Sequence, residues 1–213
     1  MNPNDPNLQQ VELVAAALGE MCDELVFVGG CAAGMLFTSL QAPPPRATFD
    51  VDLVAEVAAL AGYHALETRC AERGFARDMA PDAPICRWRL RGVAVDLMPT
   101  DEGVLGFSNR WYPIATASAE RLTLPSGRTI RLISAPAFLA TKFEAFATRG
   151  ASDILTSHDL EDIIKANLQS VFPGYDIIDC YGIKISRDAD FSLENEDQKD
   201  IAEKILKKVR KRK

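Results

Sequence analysis

The stretch Thr48–Val54, TFDVDLV, constrains this chain more than any other, because apolar and polar side chains alternate and the last two polar positions are both aspartate. A period of two belongs to a β-strand, so Phe49, Val51 and Leu53 are expected on one face and Asp50 and Asp52 on the other. Residues two apart on a strand stand about 7 Å from each other at the backbone. Carboxylates that close raise each other's pKa. Two arrangements relieve the repulsion: a solvated edge strand, or a cation shared by both groups.

The flanking sequence supplies a second constraint. Leu25-Val26-Phe27-Val28 is an apolar run stopped by Gly29-Gly30, as a buried strand ends, and Cys31–Leu40 resumes helical spacing until Pro43-Pro44-Pro45 ends it. A glycine pair between strand and helix lets backbone N–H groups approach an anion, and the helix start adds positive partial charge. The same pair serves equally as a plain tight turn.

Further along, a helix is predicted over Ala58–Arg73, then a turn at Asp78–Pro84. Alternating runs Ile85–Arg91 and Val93–Met98 follow, joined at Gly92 as a hairpin. The second run carries Asp96, a carboxylate among apolar neighbours that needs a partner such as a metal, with a surface position or a simple salt bridge as the plain alternatives. Leu122–Leu124 and Thr129–Ile133 flank the turn Pro125-Ser126-Gly127-Arg128 and make another hairpin. Helices are expected at Val11–Leu18, at Pro136–Thr148 with Ser134 as N-cap, and at Ser157–Leu168. The chain therefore reads as α+β: a mixed sheet with flanking helices over residues 1–133, then a mainly helical C-terminal lobe over 134–213.

Composition narrows the metal. Only His64 and His158 are present, and the five cysteines form no CxxC pair, so zinc is disfavoured and carboxylates would bind a hard cation, Mg2+ or Mn2+. The thiols are read as reduced and mostly buried. The N-terminus has no secretory pattern and no apolar run is long enough to cross a bilayer, which makes the cytoplasm the expected compartment.

Gly-Gly at a strand end, a helix, Asp-x-Asp on the next strand and a single aspartate on a later strand together resemble the DNA polymerase β-like nucleotidyltransferase superfamily. The stretches FVGGCAAGMLF and RATFDVDLV are more closely similar to the AbiEii-type nucleotidyltransferase toxins, which include the MenT enzymes. The resemblance implies a nucleotidyltransferase core with Asp50, Asp52 and Asp96 as metal ligands, and nucleotide binding by Gly29, Gly30, Cys31, Arg46 and Lys142. Thr141–Phe146 resembles the family's lysine-bearing helix. SHDLEDI, from Ser157, resembles its last motif and implies a catalytic or structural role for Asp159 and a supporting one for Asp162. Cys31 stands where the family usually has serine or threonine.

Lys142 has a plain alternative as a solvated helix residue, and Asp159 as a carboxylate meeting a helix dipole. Yet residues 1–164 hold twelve arginines and this one lysine, as if a compact point charge were wanted there. The last 49 residues hold eight lysines, and the divergent basic tail from about 165 matches nothing in the family pattern. Its end, AEKILKKVRKRK, suits a helix C-terminus or an electrostatic guide for RNA.

The expected function is metal-dependent transfer of a nucleotide, with ATP among the candidate NTPs, to an RNA or tRNA 3′ end. The family context is a toxin with an antitoxin partner and no membrane association. The alternatives are a transferase acting on a protein or small-molecule hydroxyl, and a catalytically silent nucleotide- or partner-binding module.

Overall fold

The computed structural model describes residues 5–36 and 47–149, with positions 168, 176–178 and 180. Arg46, Asp159, Asp162, residues 157–167 of the expected helix Ser157–Leu168, and the basic tail except the positions just named lie outside the described residues. Contacts divide the chain into Met1–Cys180 and Tyr181–Lys213, and the second unit is not among the described residues.

Helix α1 (Leu8–Leu18) buries Val11, Val14, Ala15 and Leu18, the stripe that helical spacing predicts, and stops at Gly19 with φ +60°. Strand β1 (Leu25–Val28) is buried at every position. The glycine pair opens a short helix, α2 (Gly29–Ala33), and a 3-10 turn follows at Gly34–Leu36. Then come β2 (Asp50–Ala55), α3 (Leu60–Glu72), β3 (Ala76–Arg77), β4 (Arg87–Leu90), β5 (Val93–Pro99), α4 (Glu102–Leu105) and α5 (Tyr112–Ala117). The hairpin β6 (Glu120–Thr123) and β7 (Thr129–Leu132) precedes α6 (Ala135–Arg149). The sequence reading did not include β3, α4 or α5.

Among the described residues, seven strands form one mixed sheet in the order β3-β4-β5-β2-β1-β7-β6. Strand β2 lies at its centre, antiparallel to β1 and parallel to β5, so the solvated-edge explanation for Asp50 and Asp52 fails. Phe49 also departs from expectation. It precedes the strand and is 86% exposed, while Val51 and Leu53 are buried as predicted.

The β4–β5 hairpin turns through Arg91 and Gly92, both at positive φ (48° and 90°), which matches a two-residue loop to the twist of the strands. That loop pairs Leu90 with Val93 and thereby Arg87 with Asp96. The core holds Phe27, Leu53, Tyr63, Leu97, Ile130 and Phe138. The buried Tyr63 hydroxyl donates to the Leu97 carbonyl at 2.7 Å, tying α3 to β5. Cys22, Cys31, Cys70 and Cys86 are buried and Cys180 is exposed. Among the described residues, no helix is long and apolar enough to cross a membrane.

Candidate active site

Strand register assembles the site. Val28 on β1 pairs with Asp52 on β2, Asp52 with Asp96 on β5, and Asp96 with Arg87 on β4, giving one lateral row across four strands. Neighbouring strands lie ~4.8 Å apart, so residues in such a row that share a face meet side chain to side chain. Asp50, two residues before Asp52, joins them. One carboxylate oxygen from each of Asp50, Asp52 and Asp96 lies within 4.8 Å of the others.

The glycine turn closes directly on this row. Gly29 has φ +69°, a region that disfavours side chains, and a Cβ there would stand 1.7 Å from Oδ2 of Asp52. A Cβ on Gly30 would meet Cγ2 of Thr48 at 2.4 Å. Thr48 is held from the N-terminal segment: its backbone N–H donates to Asn7 Oδ1 at 2.8 Å, and its carbonyl accepts from Gln10 Nε2 at 3.0 Å. Asn7 is fully buried, so the entry to β2 is fixed before the first aspartate.

Charge is concentrated here. Burial first, and then the neighbouring charges of Asp50 and Asp96, push the Asp52 carboxyl up to about 7, with Lys142 and Arg87 acting the other way. Arg87 grips Asp96 with both arms of its guanidinium, Nε to Oδ1 at 2.8 Å and one terminal nitrogen to Oδ2 at 2.7 Å. That same terminal nitrogen lies 3.5 Å from Oδ2 of Asp50. Its hydrogen bonds to Asp96 push the guanidinium pKa further above its already high value.

These groups line a cleft of about 640 Å3, within the range of small-molecule sites. Lys142 of α6 also lines it, its Nζ 5.5 Å from the centroid of the Phe138 ring. The lining further includes Phe107, Ser108, Asn109 and Tyr112. Asn109 Nδ2 donates to the Thr141 carbonyl at 3.2 Å and anchors the α4–α5 connection to α6.

Sequence-predicted residues Gly29, Gly30, Asp50, Asp52, Asp96 and Lys142 thus meet in one cleft. Cys31 does not line it. Its side chain is buried and its thiol donates to the Val28 carbonyl at 3.2 Å, because the first turn of α2 aims that position into the core. Arg87 and the wall at Phe107–Tyr112 are additions that the sequence reading lacks. The donor set suits a hard cation: three carboxylates cluster beside two cationic side chains, and burial together with its acidic neighbours pushes the Asp52 carboxyl up to about 7.

Residues 116–213 match the family model of the polyphosphate kinase middle domain, a stretch short of half the chain. No curated protein matches the sequence. Among solved structures, an antigenic nucleotidyltransferase-like protein from Paracoccidioides brasiliensis aligns with TM-score 0.51 and 19% identity. The alignment covers 78% of this chain and 77% of that one. The solution structure of the antibiotic-resistance factor ANT(2'')-Ia aligns with TM-score 0.48 and 16% identity, over 76% of this chain and 84% of that one. The crystal structure of ANT(2'')-Ia with adenylyl-2''-tobramycin gives 0.45 and 17%, over 74% and 87%. At such identities the likeness to the Paracoccidioides protein establishes architecture: the chain has a nucleotidyltransferase-like α+β fold, with an acidic triad on its central strands that could hold a divalent metal.

Proposed function

We propose that this chain is a metal-dependent nucleotidyltransferase that moves a nucleotide from an NTP to a hydroxyl acceptor. The observation that carries the reading is the convergence of Asp50, Asp52 and Asp96 beneath the Gly29-Gly30 turn, in the cleft that Lys142 faces.

Asp50, Asp52 and Asp96 would hold the divalent cation. When bound, such a cation neutralises charge on the triphosphate and activates the attacking hydroxyl. The chain's own groups bind and orient the nucleotide. Helix α2 opens at Val28 without a side-chain cap, leaving its first N–H groups for phosphate oxygens, and Gly29 and Gly30 put no side chain in the way. Lys142, which lines the same cleft, offers a compact positive charge to the phosphates.

In this reading the acceptor is an RNA 3′ end, most simply that of a tRNA, and the chain is the toxin of a cytoplasmic toxin–antitoxin pair. The motif resemblance at Phe27–Phe37 and Arg46–Val54 supports that choice. In this proposal residues 1–133 are the catalytic core. Nucleotide binding by Arg46 and a catalytic role for Asp159 belong to the same proposal.

The test incubates the protein with each labelled NTP, Mg2+ or Mn2+, and total cellular RNA, with protein and aminoglycoside acceptors in parallel. Label on RNA that disappears in the Asp50→Asn/Asp52→Asn double variant is the expected result. Label confined to another acceptor would replace the RNA assignment, and no transfer from any NTP would end the transferase reading.

A further inference from the structure

The side chain of Arg87 reaches two of the three carboxylates of the acidic cluster. Two of its nitrogens face both oxygens of Asp96 at 2.8 and 2.7 Å, and the terminal one also approaches Asp50 at 3.5 Å. Its place is built into the sheet, because the two-residue turn at Arg91-Gly92 fixes Arg87 opposite Asp96 and β2–β5 pairing sets Asp96 beside Asp52. The Arg87 side chain is 25% exposed and that of Asp96 12%, so water screens the pair weakly. Carboxylate oxygens of all three residues lie within 4.8 Å of one another on central strands that cannot splay apart, so any positive charge beside them, side chain or metal, eases their repulsion.

We propose that Arg87 is the resident counter-ion of the triad, a positioning residue that bridges Asp96 and Asp50 in the metal-free protein and competes with a divalent cation for them. The inference rests on the metal-binding reading of Asp50, Asp52 and Asp96 given above. It does not depend on which nucleotide or acceptor is used, or on whether transfer occurs. Its consequence is a negative coupling: positive charge supplied by Arg87 and positive charge supplied by the ion are partly interchangeable. Arg87 then stabilises the apo fold and weakens the first cation's hold on the site.

The experiment uses Mn2+ alone, without nucleotide. Binding is read by electron paramagnetic resonance or calorimetry, and melting temperature is measured in EDTA and in saturating Mn2+. Parent, Arg87→Met, Arg87→Lys and Asp52→Asn proteins are compared, the last to assign binding to the triad. Arg87→Met is expected to melt lower than the parent in EDTA, to recover most of that loss in Mn2+, and to bind Mn2+ on the order of tenfold more tightly, since one nearby positive charge has gone. Arg87→Lys keeps a charge without the fork and should stay within about threefold of the parent for Mn2+.

If Arg87→Met folds only when Mn2+ is supplied, the interchange is shown directly. Equal or weaker Mn2+ binding in Arg87→Met, or a stability loss that Mn2+ does not offset, overturns the proposal. So does the absence of Mn2+ binding at the triad in every variant. Should Arg87→Met fail to fold under any condition, Arg87→Lys decides: parental stability in EDTA supports a counter-ion, and a loss indifferent to Mn2+ marks a packing role instead. Failure of NTP transfer alongside a coupled Arg87 would overturn only the transferase reading.

Discussion

Gly29 and Asp52 occupy each other's space: the position a Cβ on Gly29 would take lies 1.7 Å from Oδ2 of Asp52. The aspartate can stand beneath the turn only because the turn has no side chain there. Gly29→Ala must therefore move Asp52 and also hold alanine at φ +69°. The strain alone is about 1–2 kcal/mol. We expect a folded variant, less stable by about that amount in urea denaturation, with Mn2+ affinity reduced at least tenfold. Parental Mn2+ binding would show that the turn and the carboxylate are independent.

Asp52 gives the site a pH dependence whose sign follows from its raised pKa. Burial and its acidic neighbours push its carboxyl up to about 7, against about 4 in an unfolded chain, so without a cation the native state favours the extra proton. Apo stability should fall as pH rises from about 4 to about 7 and level off above. Asp52→Asn, which has no charge to bury, should be more stable than the parent in EDTA at pH 8, by roughly 2 kcal/mol. The gap should shrink toward pH 4. A cation must displace the same proton, so Mn2+ affinity should weaken about tenfold per unit below pH 7. A gap or an affinity that does not change with pH would refute the assignment.

Lys142 separates a placed charge from general basicity. Arg87 already supplies a planar fork to the cleft, whereas Lys142 brings an ammonium to it. If that ammonium contacts phosphate, Lys142→Ala should weaken NTP binding by about 2 kcal/mol. Lys142→Arg should recover little of this, because its longer fork cannot occupy the same point. Calorimetric NTP titration checks both, and full recovery by arginine would reduce Lys142 to a surface charge.

Cys31 is expected to be silent toward nucleotide. Its thiol already donates to the Val28 carbonyl inside the core. Cys31→Ser keeps a donor of similar size in that place, so NTP affinity should stay within about twofold, with at most a small stability change. A larger change in affinity would mean that α2 moves on binding.

Much of this was legible in the sequence. Period two at Asp50-Val51-Asp52-Leu53 named the strand and its acidic face, the Gly29-Gly30 stop named the turn, and Gly92 named the hairpin. Phe49 was misread because alternation says nothing about where pairing begins, and the strand starts one residue later. Arg87 was missed because Arg87, Arg89 and Arg91 alternate through one run, and only the hairpin register says which of them faces Asp96. Counting outward from a two-residue loop at Arg91-Gly92 would have found it: 90 opposite 93, 89 opposite 94, 88 opposite 95, 87 opposite 96. The wall at Phe107–Tyr112 carries no periodic signal, since its short segments are placed by contacts such as Asn109 to Thr141.

The lateral row from Val28 to Arg87 also makes the site a proofreader of its own sheet. A slip of one residue between β2 and β5 would turn Asp96 to the opposite face, and a slip between β4 and β5 would pair Asp96 with a neighbour of Arg87. Either error leaves a plausible β-sheet with no triad in it. Chemistry in this fold is therefore available only to chains whose four strands have annealed in one alignment, so that competence at the cleft certifies register throughout the middle of the molecule.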